Sequence, residues 1–236
     1  MPFNKHAIVI GVGPGLGAAL VQKCAGEGMK VSAGARDRDR LRKLLDERGL
    51  HEAPAFTCDV SDPASVQSVF DDAIADAGVP DLVIFNASGY ARGSILELTP
   101  GQLEAAWRVG CLGGFHVGQA AAKAMIGAGA PVAMIGAGTG TILFTGATAS
   151  LRGSANFAPF AIAKFGLRAL AQSMARELGP KGIHVAHVVI DGQIGEADGD
   201  AKLKPADIAE AYWSLYRQPR SAWTLEADLR TWVEKF

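Results

Sequence analysis

The chain has 236 residues, of which 23 are Lys or Arg and 24 are Asp or Glu, for a formal net charge of −1. So balanced a charge gives no electrostatic reason to expect a nucleic-acid partner or an anionic membrane surface. The three cysteines, Cys24, Cys58 and Cys111, stand at unrelated spacings, form neither a disulfide framework nor a metal-ligand set, and read as small core residues. The length suits one α/β domain over residues 1–236. The longest apolar stretch, 115–140, is broken by Gln119, Lys123, Pro131 and several glycines, so no membrane span is expected. The N-terminus leads straight into an apolar strand with no signal-peptide pattern, which makes the cytoplasm the expected location.

The first strand, from Ala7, ends in the turn Gly11-Val12-Gly13-Pro14-Gly15-Leu16-Gly17 and opens into a helix that Gly28 stops. Closely spaced glycines let backbone N–H groups approach a dinucleotide pyrophosphate, and the helix behind them presents its positive end. A strand follows over 30–35, then a charged helix over 38–48 with Leu41, Leu44 and Leu45 on one face, then a strand over 53–58. Ser61-Asp62-Pro63 caps a helix carrying Val66, Val69, Phe70 and Ile74. The strand 82–85 ends at Asn86, and a long helix runs from about 100 through Trp107 and Phe115 towards 125. Residues 124–129 recur as 133–138, a nine-residue period that reads as a small tandem duplication lengthening a loop. A strand over 141–145, a helix over 157–178, a strand over 184–190, a helix over 205–216 and a last strand over 223–229 complete the chain. Apolar strands alternating with helices predict a doubly wound parallel α/β sheet whose ligand crevice lies at the strands' C-terminal ends.

Several of these segments together resemble the short-chain dehydrogenase/reductase family, over nearly the whole chain. Gly11, Gly15 and Gly17 match its Gly-xxx-Gly-x-Gly turn, and Asp59-Val60 its adenine-side Asp-Val. Asn86-Ala87-Ser88-Gly89 is similar to its Asn-Asn-Ala-Gly strand end, and residues 109–115 to its segment Val-Asn-Leu-x-Gly-x-Phe. Residues 175–178 and 182–185 resemble its sixth helix and strand. The resemblance implies a Rossmann-type fold and a nicotinamide cofactor held by Gly11, Gly15, Leu16, Gly17, Asp59, Val60, Asn86, Ala87, Lys164, Gly192 and Ile194. Members that prefer NAD carry an acid at the end of the second strand. Here Ala35 stands there, followed by Arg36, whose guanidinium can pair with a 2′-phosphate, so NADP(H) is expected over NAD(H). The family's other basic marker, just before Gly15, is replaced by Pro14, and Arg36 also reads as a solvated loop charge.

The family's chemistry rests on Tyr-xxx-Lys with an earlier serine and asparagine. The lysine is present as Lys164, but the tyrosine position is Phe160, the serine position Ala147 and the asparagine position Gly110. The enoyl-reductase frame, with tyrosine seven residues before the lysine, falls on Phe157. Losing a general acid costs about 10²–10⁴ in rate. Thr148, Tyr90 and Asp191 are the polar groups that could substitute, and each also reads as an ordinary loop or turn residue. Two functions lead: an NADP(H)-dependent oxidoreductase using Lys164 and Thr148 on an activated acceptor, and a catalytically silent NADP(H)-binding module that senses cofactor or assembles with partners; the intact glycine turn argues against a third, a structural subunit that no longer binds nucleotide. The short segment after Ile194 predicts an open substrate site. The resemblance further implies a homodimer or homotetramer packed through the long helices.

Overall fold

The computed structural model describes residues 5–127, 140–196 and 200–234. Seven parallel strands form one sheet in the order β3-β2-β1-β4-β5-β6-β7. The strands are β1 (His6–Ile10), β2 (Lys30–Ala35), β3 (Ala55–Thr57), β4 (Leu82–Phe85), β5 (Gly140–Thr145), β6 (Ile183–Asp191) and β7 (Glu226–Arg230). Strand order reverses between β1 and β4, whose ends carry the glycine turn and Asn86. That reversal opens a crevice at the C-terminal edge of the sheet.

Side chains alternate across the strands and build two cores. Ala7 and Val9 of β1 join Leu82 and Ile84 of β4 on one face, where Leu20, Leu41, Leu45 and Tyr212 cover the sheet. Ile8 and Ile10 point the other way, into a second core with Phe70, Phe85, Val117 and Leu167. The first core is covered by α1 (Leu16–Gly26), α2 (Arg38–Glu47) and α7 (Pro205–Tyr216). The second is covered by α3 (Pro63–Ala77), α5 (Gly113–Gly127) and α6 (Ala158–Leu178). Local chemistry sets the helix starts. The Asp37 carboxylate accepts from Arg40 N at α2, Asp62 accepts from Ala64 N ahead of Pro63 at α3, and Thr99 with Gln102 forms a capping box at α4 (Pro100–Trp107). Cys24 and Cys58 are free and buried, and burial pushes both thiols up to about 12. No helix of the described residues is long and apolar enough to cross a membrane.

Three elements differ from the sequence expectation. The strand expected over 53–58 is shorter, because β3 pairs with β2 only from Ala55 to Thr57. The helix expected over 100–125 is not uniform: α4 and α5 are joined by a five-residue π-helical segment, Arg108–Leu112. The last strand starts later, at Glu226, because Gln218 holds the preceding turn. Its side chain accepts from Thr224 N at 2.8 Å, and its carbonyl accepts from Trp223 Nε1 at 3.3 Å. The tandem repeat falls mostly in residues 128–139, outside the described residues.

Candidate active site

Backbone geometry makes the middle of the crevice. Gly11 has φ +90°, and a Cβ there would collide with Ala87 N, so only glycine fits between β1 and the end of β4. Gly17 lets α1 approach Val12, where a Cβ would lie 2.7 Å from Val12 Cα. Gly13 and Gly15 face open space. Among the described residues no side chain caps α1 at Gly15, and its first turn has no acid, so its N-terminal amides can receive an anion. Asn86 Nδ2 donates to Gly11 O at 3.0 Å and pins the two strand ends together. These features fit a dinucleotide pyrophosphate.

On one side of the turn lies a cavity of about 570 Å³ lined by Gly11, Ala35, Arg36, Val60, Asn86 and Ala87, among others. Arg40 and Lys43 of α2 also line it, which the sequence reading missed. The available signal was their spacing, about one helical turn apart, which puts two cations on the same face of a helix that starts just after Arg36. The nearby acid, Asp37, is occupied as the cap of α2. Asp59 does not line this cavity. Its carboxylate accepts from Ser61 N at 2.9 Å and Ser61 Oγ at 2.7 Å, which holds it below the usual carboxylate range.

On the other side lies a cavity of about 470 Å³, lined by Leu16, Ala147, Thr148, Phe157, Phe160, Lys164, Gly192 and Ile194, among others. The two cavities share Asn86 and Ser88, so they meet at the end of β4. Lys164 is 3% exposed, and its Nζ donates to Thr145 O at 2.7 Å and lies 5.8 Å from the Phe160 ring centroid. Burial pushes its ammonium down to about 8. Tyr90 packs outside this wall, 5.3 Å from Phe160 and 6.0 Å from Phe157 between ring centroids, and is 63% exposed.

The Thr148 hydroxyl is not free to donate into the cavity, because it donates to Asp191 Oδ1 at 2.6 Å. Asp191 is buried and also faces Arg230 at 3.4 Å and Arg152 at 3.7 Å. Behind the same turn, Ser150 Oγ lies 3.2 Å from His187 Nε2, and His187 Nδ1 lies 3.0 Å from Glu226, which Arg168 grips at 2.6 and 2.7 Å. Burial pushes His187 down to about 4, so the neutral ring donates from Nδ1 to the carboxylate and accepts from Ser150. Ser150 is fully buried, which makes this chain a tie between the turn, β6 and β7 rather than a nucleophile. Sequence spacing could not reveal it, because it depends on the β6–β7 register. Gly110 lies in the π segment, where a Cβ would come 2.9 Å from Ala163 Cβ, so close packing against α6 takes the space a larger side chain needs.

A family model described as short chain dehydrogenase matches residues 5–195. The chain is 31% identical over 184 residues to a (21S)-21-acetoxyl-apo-melianone synthase of Melia azedarach, covering 77% of this chain and 64% of that protein. It thus spans just under two-thirds of the length of that curated relative. A short-chain dehydrogenase from Rhodopseudomonas palustris superposes with a TM-score of 0.82 at 41% identity, over 97% of this chain and 99% of the other. A metagenomic short-chain oxidoreductase in complex with NADP superposes with a TM-score of 0.79 at 26% identity, over 96% and 97% of the two chains. With the glycine turn, the parallel sheet and these matches in agreement, the chain belongs to the short-chain dehydrogenase/reductase family.

Proposed function

We propose that the chain is one dinucleotide-binding domain acting as an NADP(H)-dependent oxidoreductase on a small activated carbonyl or C=C acceptor. The observation that carries this reading is the meeting of the two cavities at Asn86 and Ser88, which gives one continuous cleft from Arg36 to Lys164. The glycine turn and the uncapped start of α1 would hold the pyrophosphate. Arg36, with Arg40 and Lys43 beside it, would take a 2′-phosphate, and Lys164 would hold the nicotinamide ribose. The bound cofactor would supply hydride. Phe157 and Phe160 would exclude water from the acceptor, and Gly192 and Ile194 would close the far wall. The NADP-bound metagenomic relative supports this cofactor.

A second reading, a silent cofactor-binding module, is favoured by one observation: Phe160 has no proton to give and the Thr148 hydroxyl is committed to Asp191. Exposed Trp107, Phe115, Ile126, Ile162 and Phe165 on the long helices support assembly into a homodimer or homotetramer. The cytoplasm is the location this reading assigns. The test is titration with NADPH and NADH, followed by tryptophan fluorescence. Micromolar NADPH binding that weakens in Arg36→Ala supports the cofactor assignment, and no binding of either nucleotide refutes it. Steady NADPH oxidation with a carbonyl or enone acceptor then separates the enzyme from the silent module.

A further inference from the structure

We propose that Lys164 is itself the proton donor, passing an Nζ proton directly to the substrate oxygen, an assignment that rests on the oxidoreductase reading above. Among the described residues lining the 470 Å³ cavity, Lys164 is the one ionisable side chain. Of the hydroxyls lining it, Thr145 Oγ1 pairs with Tyr212 OH at 2.7 Å and Thr148 donates to Asp191, while Ser88 and Ser154 carry aliphatic hydroxyls, far weaker acids than an ammonium. The ammonium has three N–H bonds: Thr145 O takes one, the nicotinamide ribose would take a second, and the third is left for the substrate oxygen. A phenol at position 160 would stand as the acid beside this ammonium. The Phe160 ring relays nothing, so the acid function falls back on the nitrogen.

The surroundings favour this role. No carboxylate lies within ion-pair distance of Lys164 among the described residues, and its burial brings its acidity close to the working range of a general acid. The charged or titratable groups nearest on the packed elements already have partners. On β6, His187 is neutral and bound to Ser150 and Glu226, and Asp191 is held by Thr148 with Arg152 and Arg230 close by. On β7, Glu226 is gripped by Arg168 of α6 itself. In the step, the hydride that NADPH would supply forms the new C–H bond as the C=O π pair moves to oxygen. That oxygen takes a proton as one Lys164 N–H bond breaks. The products are the alcohol, NADP⁺ and a neutral lysine amine, which regains its proton from water.

The test has two arms. In the first, trace labelling of the cofactor-free protein with acetic anhydride across pH, read by peptide mass spectrometry, should give a Lys164 midpoint near 8 and protection by NADPH. A midpoint near the ordinary 10.5 would overturn the proposal. In the second, phenanthrenequinone reduction is measured at saturating NADPH in wild type, Lys164→Arg and Lys164→Met. Arginine keeps the cation but cannot release a proton. Both variants should therefore lose about 10²–10⁴ in kcat and the basic limb of the pH profile. Phe160→Tyr should raise the rate and move that limb. NADPH binding with an unchanged rate in Lys164→Arg would overturn the donor role alone, whereas NADPH binding with no quinone reduction by the wild type would overturn the oxidoreductase reading and the donor role with it, leaving the cofactor assignment standing. Absence of NADPH binding would overturn the cofactor reading and this proposal together.

Discussion

The two ends of the cleft are built from different materials. The end at the glycine turn is backbone: a glycine at positive φ, an uncapped helix start and two strand ends tied by one amide. The end at Lys164 is side chain: one buried amine, two phenyl rings and a hydroxyl locked onto a buried carboxylate. A backbone site tolerates most changes of side chain and fails only where a Cβ cannot fit. A side-chain site changes its chemistry with a single replacement.

Gly11→Ala should break the backbone end most severely. It drives a methyl into Ala87 N at φ +90°, so NADPH titration should show loss of binding, with at least about 1–3 kcal/mol lost in denaturant unfolding. Arg36→Ala should sharpen the comparison. Removing one charge-assisted contact of about 1.5–3 kcal/mol should weaken NADPH roughly 10- to 100-fold and leave NADH unchanged. Thr148→Val removes a partner of the buried Asp191. Stability should fall by about 1–3 kcal/mol, read as a drop in Tm of a few degrees, with NADPH affinity retained. Acid sensitivity is a smaller effect. His187 has its folded pKa lowered to about 4 from 6.5, so the unfolded chain binds its proton first. Stability is therefore lost as pH falls from about 6.5 towards 4, and His187→Gln should flatten that part of the curve. Lys43→Ala tests the far rim of the Arg36, Arg40 and Lys43 cluster. It should shift stability by no more than about 0.5 kcal/mol, since its ion pair with Glu47 is exposed, and weaken NADPH less than Arg36→Ala does.

The strands of the crevice were legible in the sequence because they are apolar runs ending in glycines or Asn86. The helix starts were legible because Asp37, Asp62 and Thr99 are local signals. The π segment was not, since it depends on Gly110 and Cys111 pressing against Ala163 and Gly166 of a helix far along the chain. The commitment of Thr148 to Asp191 was equally hidden. Each residue reads as a polar group near the cleft, and only their contact shows that one silences the other as a donor.

The π segment also sets the phase of everything after it. Each residue turns an α-helix by roughly 100°. Deleting one residue from Arg108–Leu112 to regularise the helix would rotate α5 by about that angle. Gly113, Gly114 and Gly118 would then leave Val60, Leu167 and Met174, whose side chains lie within 3 Å of where a Cβ would stand, and bulkier side chains would arrive there. The single extra residue therefore acts as a timing device: it keeps a glycine-faced helix in step with the sheet it lies on.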